Sequence, residues 1–140
     1  MAERNGYTKI ASLLKPLTKI TSRYIKKSAG SDYKNMCLGV AGHNAITCNI
    51  ISNSDLKNTC KGIVESAITC HSIQDSDLKN LCLAKSEGRN SCYNIQDEDL
   101  KNSCLGITQN SSNCYKIKDH DKKAMCLGIS KGSHYCYEIH

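Results

Sequence analysis

The sequence contains no phenylalanine, no tryptophan and a single proline. Without the two largest apolar side chains, a 140-residue chain of one-domain size lacks the usual means of building a deep core. Something besides core volume must hold it together. An apolar run of 18 residues is also missing, which excludes a membrane-spanning helix in this chain. There is no CxxC pair of the kind zinc sites favour, no GxGxxG and no P-loop, so the usual sequence signs of a metal, dinucleotide or nucleotide site are absent.

What the chain does have is ten cysteines, all between Cys37 and Cys136. An even count at regular spacing in a core-poor chain reads as a disulfide framework and implies an oxidising compartment, secreted or periplasmic. Charge is distributed unevenly. Residues 1–31 hold seven Lys or Arg against one acid, whereas the rest has twelve of each, so the basic balance belongs to the head alone. Charges interrupt every apolar run of this head, which makes it a poor signal peptide. An export signal removed, a C-terminal piece of a longer secreted chain, or unconventional delivery would each fit.

The cysteines disclose an internal repeat. Cys37, Cys60, Cys82, Cys104 and Cys126 are each followed by a second cysteine: Cys48, Cys70, Cys92, Cys114 and Cys136. The period is 22, with one extra residue in the first unit, and the five copies run 32–52, 53–74, 75–96, 97–118 and 119–140. A fixed period in this range marks an array in which each unit borrows its neighbour to bury a face.

Each unit reads as two short helices. Asp75, Asp97 and Asp119, with Asn53 in the second unit, stand at N-cap positions, and a further acid two residues on favours the positive helix end. Leu100, Cys104 and Ile107 follow helical spacing on one face. A small residue (Gly39, Gly62, Ala84, Gly106, Gly128) stands two after the first cysteine, where a larger side chain would hold the neighbouring helix away. A polar linker then turns the chain into a second helix whose Cys and Ile share a side. The fold class expected is therefore all-α: a disulfide-stapled array of five 22-residue helix-turn-helix repeats, an α-solenoid, preceded by an amphipathic N-terminal helical segment.

Cysteines ten apart across such a turn suit bridges within the unit, 37–48, 60–70, 82–92, 104–114 and 126–136. The rival joins each unit to the next at a separation of 12, and leaves Cys37 and Cys136 without partners. Either scheme closes loops worth about 2–3 kcal/mol each.

The run Cys-Tyr-x-Ile-x-Asp-x-Asp-Leu-Lys-Asn-x-Cys resembles short cysteine-containing helical repeats of uncharacterised secreted or envelope-associated bacterial proteins. The resemblance covers about four-fifths of the chain. It implies a stapled helical array and carries no activity with it.

In the head, Tyr7, Ile10, Leu14, Leu17 and Tyr24 mark an amphipathic helix interrupted at Pro16. It is expected to cap the first repeat. The rival is a surface docking on an anionic membrane or partner through Lys15, Lys19, Arg23, Lys26 and Lys27. The closing stretch 132–140 is read as the opposite cap.

No catalytic constellation, metal site or cofactor emerges. His43, His71, His120, His134 and His140 fall in different repeat phases, with His134 and His140 able to meet at the C-terminal end. The Asp pairs lack the other ligands of a calcium loop and read as caps. The tyrosines are not set among basic residues in the sequence, so nucleic acid is an unfavoured partner. The expected function is a non-enzymatic protein-binding module presenting its linkers, in which Asn110 should be replaceable. The alternatives are an effector or toxin domain acting on a membrane and, with least support, a nuclease.

Overall fold

The structure is a computed structural model that describes residues 31–88 and 90–140. Residues 1–30, with the proline, the expected capping helix and the five basic residues of the rival docking surface, lie outside the described residues. Every described element is helical. Each unit has a long α-helix: α1 over 31–41, α3 Ser54–Val64, α4 Ser76–Glu87, α5 Glu98–Thr108 and α6 His120–Ser130. A short second helix follows. It is α-helical in the first unit (α2, Ala45–Asn49) and 3₁₀ in the others, at Ala67–Ser72, Asn90–Asn94, Ser111–Lys116 and Ser133–Glu138.

Local chemistry sets these elements. Asn53, Asp75, Asp97 and Asp119 have extended backbones, and each side chain accepts the N–H of the third residue on, at 2.9–3.0 Å. The second helix is short because the N–H of Ile73, Ile95, Ile117 or Ile139 donates to the cysteine carbonyl three residues before it, at 3.2 Å. That pattern eclipses Cys and Ile on one side, and both are buried in every unit. The extra residue of the first unit falls in the turn before α2, where His43 takes a φ of 52°. Asn110, expected to be a replaceable linker residue, is instead the N-cap of its second helix, accepting the Ser112 N–H at 3.0 Å.

The second Asp of each pair has a role beyond the helix dipole. Its two carboxylate oxygens each accept a backbone N–H from the strap that leads out of the second helix. Asp55 takes Gln74 and Asp75, Asp77 takes Gln96 and Asp97, and Asp99 takes Lys118 and Asp119, all at 2.9–3.1 Å. Asp32 takes Ser52 and Asn53 in the same way, and Asp121 takes His140.

The bridges overturn the expected pairing within units. They join Cys48 to Cys60, Cys70 to Cys82, Cys92 to Cys104 and Cys114 to Cys126, with Cα separations of 5.5–5.7 Å. The reason is visible at Gly106. A Cβ placed there would lie 2.7 Å from the Cys114 sulfur of its own unit and 2.5 Å from the Cys126 sulfur of the next. The second cysteine therefore faces the small residue of its own long helix, not the first cysteine. The gap so left admits the sulfur arriving from the neighbouring unit.

The fifth bridge, Cys37–Cys136, spans 99 residues with a Cα separation of 5.6 Å. It repeats the geometry of the other junctions. The Cys82 sulfur lies 3.7 Å from the Thr59 carbonyl and Cys126 3.6 Å from that of Ser103, and Cys37 lies 3.7 Å from that of Met125. Unit 5 thus meets unit 1 as any unit meets its successor, and the array closes into a ring. Residues 132–140, expected to cap the array, form an ordinary second helix bridged to the first unit. Among the described residues these form the junction between the last unit and the first, not an end of the array.

Inside the ring, the residue before each first cysteine (Met36, Thr59, Leu81, Ser103, Met125) is wholly buried. Three large side chains (Met36, Leu81, Met125) and two small ones (Thr59, Ser103) share this centre, which five equal ones would overfill or leave hollow. The Ser103 hydroxyl has no partner there.

Candidate functional site

Two features stand out from this frame, an axial mouth and an outer rim. The mouth follows from the residue four before the first cysteine. In units 1, 3, 4 and 5 these are Tyr33, Leu78, Leu100 and Lys122, and together with Asp75, Asp77 and Asp97 they line one cavity of about 240 Å³. Lys122 stands where units 2–4 place leucine, and its Nζ lies 3.9 Å from Asp97. Burial pushes the Tyr33 phenol above its ordinary value; the Lys122 charge opposes this, and Asp119, Asp97 and Asp75 reinforce it. The phenol therefore stays protonated at neutral pH.

The rim follows from the second helices. Their cysteine and isoleucine point inward, so the residues two before and one after the cysteine are left outside. They are Ile46 and Asn49, Ile68 and His71, Asn90 and Tyr93, Ser112 and Tyr115, then His134 and Tyr137, and all ten are exposed. Among them Ile46, Ile68 and Tyr137 show 76, 79 and 66% of their surface, values that for large apolar groups leave them without cover. Ile50 adds a further exposed aliphatic in the first unit. Units 1 and 2 thus carry an aliphatic sector and units 3–5 a tyrosine sector.

Each tyrosine lies beside a lysine of the next unit, although the sequence does not place them together. Lys101 sits over Tyr93, Lys123 and Lys131 over Tyr115, and Lys34 over Tyr137, with Nζ 5.5–5.8 Å from the ring centroid. The last pair crosses the closure of the ring. Lys131 also donates to the Tyr115 hydroxyl at 3.3 Å, and this bond raises its pKa. Only the folded repeat brings a residue three before one cysteine against a residue one after the preceding cysteine; a linear reading of charges misses it.

His134 and His140, which the sequence would allow to meet, have other ring partners. His140 stacks on His120 at 5.3 Å between centroids, while His134 lies against Tyr135 at 4.3 Å. His120 also approaches the Asp121 carboxylate at 3.5 Å. Among the described residues no group of three or more His, Cys, Asp or Glu is arranged to hold a metal ion, and none of their helices is long and apolar enough to cross a membrane. All ten cysteines are engaged in bridges, so no thiol is available as a nucleophile. No family model, curated protein or solved structure matches this chain.

Proposed function

We propose that the ring is a non-enzymatic protein-binding module of a secreted or periplasmic bacterial protein, and that its rim is the recognition surface. One observation carries the reading. In every unit the bridging cysteines, the Asp clamp and the buried isoleucine are constant, whereas the exposed positions of the second helices differ between sectors of the ring, with Ile, Ile, Asn, Ser and His before the cysteine and Asn, His and then three Tyr after it. A rigid frame that displays variable large side chains is how repeat proteins build binding surfaces. Five bridges agree with an oxidising compartment.

The test begins with capture of a partner from the source organism and its purification. Reconstituted binding should weaken when Tyr93, Tyr115 and Tyr137 are changed to Ser, and when Ile46 and Ile68 are changed to Ser, with the melting temperature unaltered. A purified partner indifferent to both sets of changes would refute the rim. Dye release from anionic vesicles, with no protein partner, would instead favour the membrane effector.

A further inference from the structure

Charge around the ring narrows the chemistry of the partner. Each of the five units contains as many acids as bases, so the ring as a whole has no net charge to attract a polyanion. The charges are nevertheless sorted. Nine of the twelve acids stand in the caps or first turns of the long helices, with Glu65, Glu87 and Glu138 elsewhere, while Lys34, Lys101, Lys123 and Lys131 lie on the rim against tyrosine faces. Among the described residues no carboxylate pairs with any of these four ammonium groups. Each lies beside an aromatic ring, and Lys131 also donates to the Tyr115 hydroxyl.

From this arrangement, and resting on the rim as the binding surface, we infer that the partner is a protein presenting carboxylates beside aliphatic side chains. The carboxylates meet the lysine and tyrosine sector, and the aliphatic groups meet Ile46, Ile50 and Ile68. Closure makes these neighbours, because Lys34 over Tyr137 belongs to the same unit as Ile46 and Ile50. A nucleic acid or a sulfated polysaccharide supplies anions but has no aliphatic groups for that second sector. Its unbroken charge would also run against Asp97, Glu98 and Asp119 near the same lysines. An acidic and apolar protein surface satisfies both sectors.

The experiment uses the full chain and four probes: a synthetic peptide mixing Asp and Glu with Leu and Val, the same peptide with each aliphatic replaced by Ser, an oligothymidylate strand and heparin. The first should bind about tenfold or more tighter than the other three, a difference of the size a few buried aliphatic groups supply. Its affinity should fall with added salt and drop about tenfold in Lys101→Gln/Lys123→Gln/Lys131→Gln, with a similar loss in Ile46→Ser/Ile68→Ser. The head is the same in every variant, so binding to its own basic residues cancels between variants, and the probes are compared by the part of each affinity that the lysine and isoleucine changes remove. Equal or tighter binding of oligothymidylate or heparin overturns the inference, as does a first peptide that fails to bind or is indifferent to the lysine changes. A purified partner that responds to the tyrosine and isoleucine changes but not to the lysine changes would leave the rim standing and defeat this inference alone.

Discussion

At the scale of single residues, the second Asp of each repeat shows how much one carboxylate can organise. Asp99 accepts the Lys118 and Asp119 N–H groups, and these bonds, the Lys118 one foremost, hold its pKa below the ordinary value of 3.8. A carboxyl with a depressed pKa in the fold stabilises it above the unfolded value, and that stabilisation is lost as pH falls through the folded value. Replacing Asp99 with Asn leaves one accepting oxygen for two donors and should cost about 1–2 kcal/mol at neutral pH. Denaturant melts of the two proteins should differ at pH 7 and converge as the pH drops below the ordinary carboxylate range. A difference independent of pH would show that the clamp does not act through its charge. The sequence shows the D-x-D pair plainly, and the first Asp is a cap as its position foretells. The role of the second was not legible, because its donors lie 19 and 20 residues away and are ordinary backbone.

At the scale of elements, helix existence and phase were readable from spacing, whereas connectivity was not. The pairing within units looked favourable because a turn midway between two cysteines suggests that they oppose each other. The glycine two after the first cysteine held the contrary information, being the place where a bridge from the next unit passes. Gly106→Val should therefore act on the Cys114–Cys126 bridge as much as on helix packing, with a loss of about 2–4 kcal/mol. Gly106→Ala should cost less, since Ala84 stands at the same place in unit 3 and is buried. Asn110→Ala should cost about 1 kcal/mol through loss of the cap, while the exposed Gln109 should tolerate Ala with little change. Thermal melting of the four variants gives the order. A Val variant no less stable than the Gln109 variant would contradict the close approach of bridge and helix.

At the scale of the whole molecule, closure changes what the repeat means. An open array needs caps and tolerates the loss of a unit, and on sequence alone both were natural expectations. A ring requires that each step turn the chain by a fifth of a revolution, so the number of units is fixed by the rotation between neighbours. The closing bridge is also the most valuable one. In the chain-entropy model a loop near 100 residues is worth about 4.7 kcal/mol against about 3 for a loop of 12 to 15. The other four bridges shorten the effective path by about half, which takes back only about 0.6 kcal/mol because the dependence on length is logarithmic. Cys37→Ser/Cys136→Ser should therefore lose about 4 kcal/mol, more than any other paired replacement. Deletion of residues 75–96 gives the sharpest test. It removes Cys82 and Cys92 and sets Cys70 twelve residues before Cys104, so three successive bridges can re-form. Four units turning a fifth of a revolution each stop short of a circle, and Cys37 and Cys136 are then left apart. Thiol counting under denaturing, non-reducing conditions should find none free in the intact chain and two in the deletion variant, at Cys37 and Cys136 by peptide mapping. A deletion variant with no free thiol in the monomer would mean that the rotation between units is adjustable, and that five is not dictated by the geometry of the junction.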